Sequence, residues 1–380
     1  MNRWLKAGVT AVMMAGSALA ETPQNKALEP QVVAKPTRPQ LDVVFVLDTT
    51  SSMSGLIEGA KEKIWSIASR MASGTPTPRI RVGLVAYRDV GDTYVTKRFE
   101  LTEDLDAMYA NLKTLRAEGG GDGPEHVGRG LGEAVKLSAW SQDPKTAKMI
   151  FLVGDAPAHD DYNDGWNTQT WAKAAIAKGI VVNTIRCGND ATTGSQFRGL
   201  AALADGTFVT IGQAGGMVAT ATPFDAEIGK LNAAIAEKSI VAGAAPARHE
   251  ADAKLAEMKA MPASVAADRI SYKAKAEPKS TFSAAGNVKG TVDLSEKPAE
   301  LAKQRKEDLP VEMQAMGPAE QAAYVAKVSG EKKELNDQLT VTNSRRDAWL
   351  QKNATEKKDS FDEQVFNAVK RQAAAAGVSY

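Results

Sequence analysis

Residues 41–54, LDVVFVLDTTSSMS, decide the fold. The first seven of these residues are apolar apart from Asp42, and an apolar run of this length is typical of a strand buried on both faces of a parallel sheet. The run ends at Asp48, and a helical pattern begins at Gly55. A strand, a polar loop and a helix form half of a βαβ unit, so we expect ligands to bind where the strand ends.

Oxygen-bearing side chains follow this strand at alternate positions: Asp48, Thr50 and Ser52. One carboxylate and two hydroxyls suit a hard cation such as Mg²⁺, Mn²⁺ or Ca²⁺, and they suit Zn²⁺ poorly. The alternative is that the hydroxyls cap the next helix. For an isolated motif of this kind the cap is the simpler interpretation, so the choice depends on the rest of the chain.

The remainder of residues 41–241 alternates predicted strands with predicted helices. The further strands are predicted at residues 79–87, 94–101, 147–153, 180–186 and 207–211. The further helices are predicted at residues 104–115, 127–140, 166–178, 196–203 and 224–241. This alternation predicts an α/β fold with a doubly wound, mostly parallel sheet that is covered by helices on both faces.

Two more loops fall at the same predicted sheet edge. Residues 119–126, GGGDGPEH, supply Asp122 and Glu125, and residues 154–159, GDAPAH, place Asp155 directly after a buried strand. A phosphate-binding loop would end in Gly-Lys-Ser/Thr, and two acids would repel phosphate. Aspartates that leave two parallel strands, with an acidic glycine loop between them, are hard to explain as helix caps. The sequence therefore favours a metal site.

The order D-x-T-x-S, D-x-P-E and G-D-A resembles the von Willebrand factor A domain over roughly residues 41–241. That family carries a metal-ion-dependent adhesion site, and the D-x-P-E form is most similar to the integrin β-subunit version, in which the glutamate is a ligand. The family usually has serine where this chain has threonine, which keeps the hydroxyl. Whether Asp122 or Glu125 reaches the ion is left open. The resemblance implies a metal site made by Asp48, Thr50, Ser52, Glu125, Asp122 and Asp155, with Mg²⁺ as the expected ion.

Other acids and two histidines lie beside these motifs. Asp89 and Asp122 resemble the positions that bind an accessory ion in the integrin version, although the other accessory ligands are not evident. The alternative is that Asp89 and Asp92 are solvated loop acids. His126 and His159 suggest zinc, but their spacing matches no zinc motif.

The chain begins with the features of an export signal. Arg3 and Lys6 precede an apolar stretch at residues 7–18, and Ala-Leu-Ala ends at Ala20. The stretch is too short to span a bilayer, and no later run is long enough. We therefore expect residues 1–20 to be removed, no membrane span, and a periplasmic or secreted protein. Residues 21–40 are predicted to be a flexible leader.

The composition changes after residue 241. Residues 242–309 are rich in Ala, Lys, Glu and Pro, and we interpret them as a partly ordered linker with a helix at 251–261 and a weak strand candidate at 270–273. The alternative is that this segment wraps over the A domain.

Residues 310–380 are predicted to form a helical hairpin tail from helices at 318–350 and 361–376. Ser360 and Glu363 predict a capping box for the second helix. The first helix repeats its seam positions in steps of three and four, which is typical of coiled coils. We expect this seam to pack within one chain, so a monomer is favoured over a coiled-coil dimer.

Composition excludes some classes of function. A formal net charge of +1 argues against nucleic-acid binding, which needs a basic surface. Cys187 is the single cysteine, so an exported form has no internal disulfide. It ends a predicted buried strand, and we interpret it as a small packed side chain.

The leading hypothesis is a protein-binding module of the adhesion type and not an enzyme. The resemblance implies that a partner's Asp or Glu replaces water on the bound ion, which stays electrophilic because few anionic groups hold it. One alternative is a metal-assisted hydrolase with His159 or His126 as the base. Another is a scaffold in which the tail binds partners and the metal only stabilises the fold.

Overall fold

The computed structural model describes residues 38–121, 123–217, 220–276, 288–353 and 360–380. The predicted export signal, the leader as far as residue 37, and Asp122 lie outside the described residues.

The strands and helices follow the predicted alternation. The strands are β1 (Gln40–Asp48), β2 (Arg79–Tyr87), β3 (Thr96–Thr102), β4 (Ala147–Gly154), β5 (Ile180–Cys187), β6 (Phe208–Ile211), β7 (Val241–Gly243) and β8 (Thr291–Asp293). The helices are α1 (Ser54–Ala72), α2 (Leu105–Thr114), α3 (Val127–Val135), α4 (Thr168–Ala177), α5 (Ala191–Leu203), α6 (Asp225–Glu237), α7 (Ala245–Lys259), α8 (Ala263–Ala276), α9 (Val311–Gln314), α10 (Pro318–Asn353) and α11 (Phe361–Ala373).

The central sheet has the strand order β3-β2-β1-β4-β5-β6 over the described ranges. β1 runs parallel to both β2 and β4, β5 runs parallel to both β4 and β6, and β3 is an antiparallel edge strand. Asp48 is opposite Tyr87 in this register, so the parallel strands end at one edge. The predicted doubly wound, mostly parallel sheet is confirmed.

Alternate residues of β1 enter two separate cores, because successive side chains of a strand point to opposite faces. Phe45 and Leu47 pack in the cluster that contains the apolar residues of α1 and α2. Val44 and Val46 pack in the cluster that contains those of α3, α4 and α5. Both faces of the strand are buried, which is why its sequence is an almost continuous apolar run.

The described part of residues 242–309 forms regular structure that packs on the A domain, as the alternative prediction allowed, and α7 lies where a helix was predicted at residues 251–261. It contains β7, α7, α8 and β8; α7 packs on α6, and α8 packs on both α1 and α6. The strand candidate at residues 270–273 is wrong, because Ile270 and Tyr272 are buried side chains of the helix α8. A short apolar segment does not distinguish a strand from a buried helix, and the surrounding Ala and Lys favour the helix.

The helices predicted at residues 318–350 and 361–376 are confirmed as α10 and α11, but the prediction that they pack on each other as a hairpin is wrong. α10 packs mainly on α6 and α8, whereas α11 packs on α1 and β4. The seam of α10 is a packing face within this chain. Six of its eight predicted positions are buried, Val325, Val328, Lys332, Leu339, Thr342 and Arg346, and the other two, Leu335 and Trp349, are half-buried.

The start of α11 differs from the predicted capping box. The side chain of Ser360 makes no capping hydrogen bond. Glu363 instead accepts a hydrogen bond from Arg70 of α1, at 2.7 Å. This ion pair joins α11 to α1. Glu363 therefore makes a contact between distant parts of the chain and does not cap its own helix.

Cys187 is fully buried, and burial, with Asp155 and Asp48 nearby, raises the pKa of its thiol, so it is packed in the core as predicted. Within the described ranges, no helix has both the length and the apolar character required to cross a bilayer.

A buried ion pair joins α2 to α8. Arg269 is fully buried, and its guanidinium donates to Asp106 at 2.6 and 3.1 Å. Lys273 adds a second positive charge, with its Nζ 3.2 Å from the same carboxylate. Burial alone would raise the pKa of Asp106, but Arg269 and Lys273 outweigh it and hold the pKa well below its ordinary value of 3.8.

Asp106→Asn should lower the free energy of unfolding by about 3–5 kcal/mol at neutral pH, because it removes the carboxylate from a buried guanidinium. A lowered pKa in the folded state stabilises the fold above the unfolded pKa, and this contribution is lost as the pH falls. The difference in the free energy of unfolding between wild type and Asp106→Asn should therefore become smaller below pH 3.8. Urea midpoints at several pH values test this, with Asp252→Asn on the exposed side of α7 as the control. A gap that is independent of pH would contradict the ion pair.

Candidate metal centre

The site begins where β1 ends, at Asp48. This side chain is fully buried, and its Oδ1 accepts hydrogen bonds from the N–H of Thr50 at 2.9 Å and from Thr50 Oγ1 at 2.7 Å. Its Oδ2 is buried and has no hydrogen-bond partner. A buried carboxylate oxygen without a partner is costly, so the site holds one oxygen whose ligand the protein itself does not supply.

Thr50 and Ser52 lie beside this carboxylate and do not cap a helix. Their hydroxyl oxygens are 3.3 Å apart. A single 3-10 turn at Ser51–Met53 precedes α1, and neither Thr50 at its start nor Met53 at the start of α1 makes a side-chain capping bond. The interpretation of the hydroxyls as helix caps is therefore wrong, and both remain available to a ligand at the sheet edge.

The glycine loop brings Glu125 to the same place. Gly119 and Gly120 have φ of +80° and +82°, a conformation that favours glycine, and the carbonyl of Gly119 accepts hydrogen bonds from the backbone and side chain of Ser51. A Cβ at Gly120 would lie 3.1 Å from Thr50 Cβ and 3.4 Å from Glu125 Oε1. Glu125 is buried, and its Oε2 has no hydrogen-bond partner.

The loop after β4 supplies Asp155 and fixes Glu125. Asp155 Oδ1 is buried without a partner, whereas Oδ2 accepts a hydrogen bond from Gln213 Nε2 at 2.5 Å. The N–H of Glu125 donates to the carbonyl of Pro157, and the carbonyl of Glu125 accepts from the N–H of His159. The structure thus brings Asp48, Thr50, Ser52, Glu125 and Asp155 to one edge.

The electrostatics of this edge favour a positive ligand. Burial, with a smaller contribution from Asp155, raises the pKa of Asp48 to about 7 in spite of the two hydrogen bonds from Thr50. Burial, together with Asp48 and Asp89, raises the pKa of Glu125 to about 9. Carboxylates that repel one another in a buried place are stabilised by a cation or by protons.

In chelator, the free energy of unfolding should fall as the pH rises from about 4.5 to about 9. A carboxylate whose pKa is raised on folding binds its proton more tightly in the folded state, so its deprotonation removes stability. Glu125→Gln should flatten this fall and raise the melting temperature in chelator at pH 8 and above. Glu312→Gln, at an exposed position of α9, is the matched control. Identical profiles for wild type and Glu125→Gln would contradict the assignment.

The residues present fit a hard cation that takes oxygen ligands. Asp48, Glu125 and Asp155 each have a buried carboxylate oxygen without a partner, two hydroxyls lie beside them, and oxygen donors are what Mg²⁺ and Ca²⁺ prefer. Among the described residues, no group of three or more His, Cys, Asp or Glu side chains is placed to hold a metal ion. A cation here would therefore depend on the hydroxyls of Thr50 and Ser52 as well as on the carboxylates.

Asp89 and Asp92 have roles within the loops. Asp89 Oδ2 accepts a hydrogen bond from Tyr162 Oη at 2.6 Å, and its Oδ1 is buried without a partner. Asp92 Oδ2 accepts from the N–H of Gly120 at 3.3 Å. Asp92 therefore shapes the glycine loop and is not simply a solvated acid.

The histidines are held by neighbouring acids. His126 is buried, with its Nε2 2.8 Å from Asp164 Oδ2. His159 Nδ1 is 2.8 Å from Asp161 Oδ1, and its ring stacks on Tyr162 with 4.3 Å between the centroids.

Sequence reasoning missed two residues at the site. Tyr162 and Gln213 are uncharged and belong to no motif, so only the chain positions after β4 and β6 indicate that they lie at this edge.

The fold and the site define a doubly wound α/β domain with a candidate cation site at the carboxyl ends of its strands. Residues 42–212 match the family model of the von Willebrand factor A domain, and this part of the chain is a von Willebrand factor A domain.

Among curated proteins, the chain is similar to the alpha-protein kinase vwkA of Dictyostelium discoideum. The two are 27% identical over 120 residues, which is 31% of this chain and 19% of the kinase. The chain therefore spans about a fifth of the length of this relative.

Solved structures are also similar to part of the chain. The SpRpn10 VWA domain is 16% identical, with 47% of this chain and 91% of that chain covered and a TM-score of 0.36. The pilus adhesin SpaC from Lactobacillus rhamnosus GG is 15% identical, with 47% and 28% covered and a TM-score of 0.37. Neither similarity carries an argument about function.

Proposed function

We propose that the protein is an exported binding module that engages a partner protein through a divalent cation at the carboxyl edge of its sheet. Von Willebrand factor A domains are commonly protein-interaction modules, and residues 42–212 form one. The observation that carries the proposal is the set of buried carboxylate oxygens without partners, on Asp48, Glu125 and Asp155, next to two hydroxyls.

Asp48, Thr50 and Ser52 would hold the cation, together with Glu125 and Asp155. When bound, Mg²⁺, or Mn²⁺ or Ca²⁺ in its place, supplies a positive charge and a coordination position that a carboxylate of a partner can take. The buried Asp48 is kept in place by its two hydrogen bonds from Thr50. Gln213 orients Asp155 by donating to one of its oxygens, which leaves the other for the ion.

The histidines support a binding role over a hydrolytic one. The ring of His126 is 2% exposed and is engaged with Asp164, so it is shielded from an incoming substrate. His159 is held between Asp161 and the ring of Tyr162. The match to vwkA covers 19% of that kinase, and we carry no kinase activity over to this chain.

The proposal includes export and a monomeric state. The basic start, the apolar stretch and the small-residue site before Glu21 support cleavage after Ala20 and a periplasmic or secreted location. The seam of α10 is covered by α6 and α8 of the same chain, so a coiled-coil dimer through that seam would require the fold to open.

Capture from an envelope extract tests the function. The full chain should retain a partner in Mg²⁺ and release it on addition of chelator, and Asp48→Ala should retain none. Asp252→Asn, on the exposed face of α7, should behave as wild type. Retention that is unaffected by both chelator and Asp48→Ala would contradict a metal-dependent mechanism.

A further inference from the structure

Tyr87, the last residue of β2, reaches across the end of β1 to β4. In the central sheet β1 lies between β2 and β4, so these two strands are not neighbours. The side chain of Tyr87 is fully buried, and its hydroxyl donates to the carbonyl of Val153 in β4 at 3.2 Å. Tyr87 therefore joins the two strands on either side of Asp48, the residue at which the candidate site begins.

The backbone of Tyr87 holds the loop that follows β1. Its carbonyl accepts hydrogen bonds from the N–H of Thr49 at 2.9 Å and from Thr49 Oγ1 at 3.0 Å. Thr49 lies between two of the candidate ligands, Asp48 and Thr50. One buried residue is thus bonded both to the loop that carries Asp48 and to the strand that ends directly before Asp155.

Two glycines leave the space that the side chain of Tyr87 occupies. A Cβ at Gly130 of α3 would lie 2.9 Å from atoms of the Tyr87 ring, and a Cβ at Gly154 of β4 would overlap Tyr87 Oη. The next atoms that the Cβ at Gly154 would meet are Cβ and Oδ2 of Asp48, both at 3.4 Å, which is an ordinary contact. The hydroxyl of Tyr87 is therefore the atom that requires glycine at position 154.

The separation of Asp48 and Asp155 decides which cation fits between them. Mg²⁺ requires a nearly ideal octahedron with ligands at about 2.0–2.1 Å, whereas Ca²⁺ accepts about 2.3–2.6 Å and an irregular geometry. A contact that keeps the ends of β1 and β4 at a fixed separation therefore matters more for Mg²⁺ than for Ca²⁺.

We propose that Tyr87 and Gly154 are positioning residues that together fix the separation of Asp48 and Asp155, so that the site prefers Mg²⁺ to Ca²⁺. This inference rests on the proposed function and deepens it, since it names the residues that select the ion. Tyr87 is not a ligand in this arrangement, and it acts through the two aspartates.

Calorimetric titration of the full chain, freed of metal by chelator, with Mg²⁺ and separately with Ca²⁺ tests the role of Tyr87. In Tyr87→Phe the Kd for Mg²⁺ should rise about threefold to tenfold, the usual effect of one hydrogen bond. The Kd for Ca²⁺ should rise by less than about twofold, because its coordination is more tolerant. Tyr380→Phe is the matched control, since Tyr380 Oη also donates to a backbone carbonyl, that of Met71 at 2.7 Å. This control should leave the ratio of the two Kd values unchanged even where it lowers the melting temperature.

Gly154→Ala tests the other member of the pair. Its Cβ should displace the hydroxyl of Tyr87, so the melting temperature in chelator should fall and the Kd for Mg²⁺ should rise at least as much as in Tyr87→Phe. In the double variant Tyr87→Phe with Gly154→Ala the overlap is absent, because the hydroxyl is gone. The double variant should therefore melt above Gly154→Ala, and its two Kd values should match those of Tyr87→Phe. Such non-additivity is expected of residues in contact.

The outcomes separate this inference from the proposed function. An unchanged ratio of the two Kd values in Tyr87→Phe, or an equal loss of affinity for both ions, would overturn the inference and leave the cation site standing. Strictly additive effects of the two substitutions would also overturn it, because Tyr87 and Gly154 would then act independently. Wild-type protein that binds neither ion would contradict the proposed function, and the inference with it.

Discussion

A chain that ends at residue 359 should lose cooperative unfolding, although every strand of the central sheet remains in it. α11 supplies Phe361, Val365 and Val369 to the core on the α1 face of the sheet, and all three are buried. The ring of Phe361 lies 6.1 Å from that of Phe45 in β1. Removing α11 would expose apolar side chains of α1 and β4 together with Phe45 of β1, and the loss of buried apolar area sets the cost.

The C-terminus is also tied to the domain by hydrogen bonds. The N–H of Phe361 donates to the carbonyl of Gly215 at 2.9 Å, and Tyr380 Oη donates to the carbonyl of Met71 at 2.7 Å. Thr75 and Ser379 exchange backbone hydrogen bonds. The segment from residue 360 onward therefore completes the domain and is not an appendage to it.

Single substitutions measure how much one buried side chain of α11 contributes to the free energy of unfolding. Phe361→Ala should cost about 3–5 kcal/mol, the usual range for a buried aromatic residue. Val341→Ala, at a position of α10 that is 51% exposed, should change stability by less than about 0.5 kcal/mol. Urea unfolding followed by circular dichroism measures both. A sharp transition with an unchanged midpoint for the chain ending at residue 359 would show that α11 is not needed to complete the core.

The sheet could be predicted because each central strand carries its own signal. β1 and β4 are apolar runs with an aspartate at the end of the strand or directly after it, and a strand buried on both faces needs little else to be recognised. The place of α11 could not be predicted in this way. Its stripe of Phe361, Val365 and Val369 suits a hairpin partner as well as a sheet, and its contacts join positions far apart in the chain, as between Arg70 and Glu363.

The α7 to α10 region was harder to predict because charged groups hold part of its core. Lys332 is 1% exposed and pairs with Asp293 at 2.6 Å, and Arg346 pairs with Asp225 and Asp268 at 2.8 and 2.7 Å. In a sequence, a lysine or arginine at a seam position predicts a solvent-exposed side chain, because its acidic partners are not yet known. Buried ion pairs of this kind are recognised only once the fold has placed their acids.

The candidate site also contains residues that could be predicted from the sequence and contacts that could not. Asp48, Thr50 and Asp155 were predicted because they leave strands whose ends must meet at one edge. The orientation of Asp155 by Gln213 was not, because an amide in a loop has no characteristic spacing.

Mg²⁺ should raise the melting temperature of the full chain, and Asp48→Asn should abolish that rise. A ligand that binds only the folded state stabilises it by mass action, by about 2.7 kcal/mol at a concentration 100 times Kd. Asparagine keeps an acceptor for the N–H and hydroxyl of Thr50 but removes the charge that a hard cation requires. In chelator the variant should melt near wild type or above it, because burial and the nearby Asp155 penalise the Asp48 carboxylate, whose pKa is about 7.

Differential scanning fluorimetry in Mg²⁺ and in chelator provides the measurement, and Asp252→Asn on exposed α7 provides the control. Ser52→Ala should weaken the response and not abolish it, since the hydroxyl contributes a neutral oxygen beside the buried Asp48. A full Mg²⁺ response in Asp48→Asn would place the cation elsewhere. The orphaned oxygens of Asp48, Glu125 and Asp155 would then need protons as their partners, and the fall in stability with pH in chelator would persist in Mg²⁺.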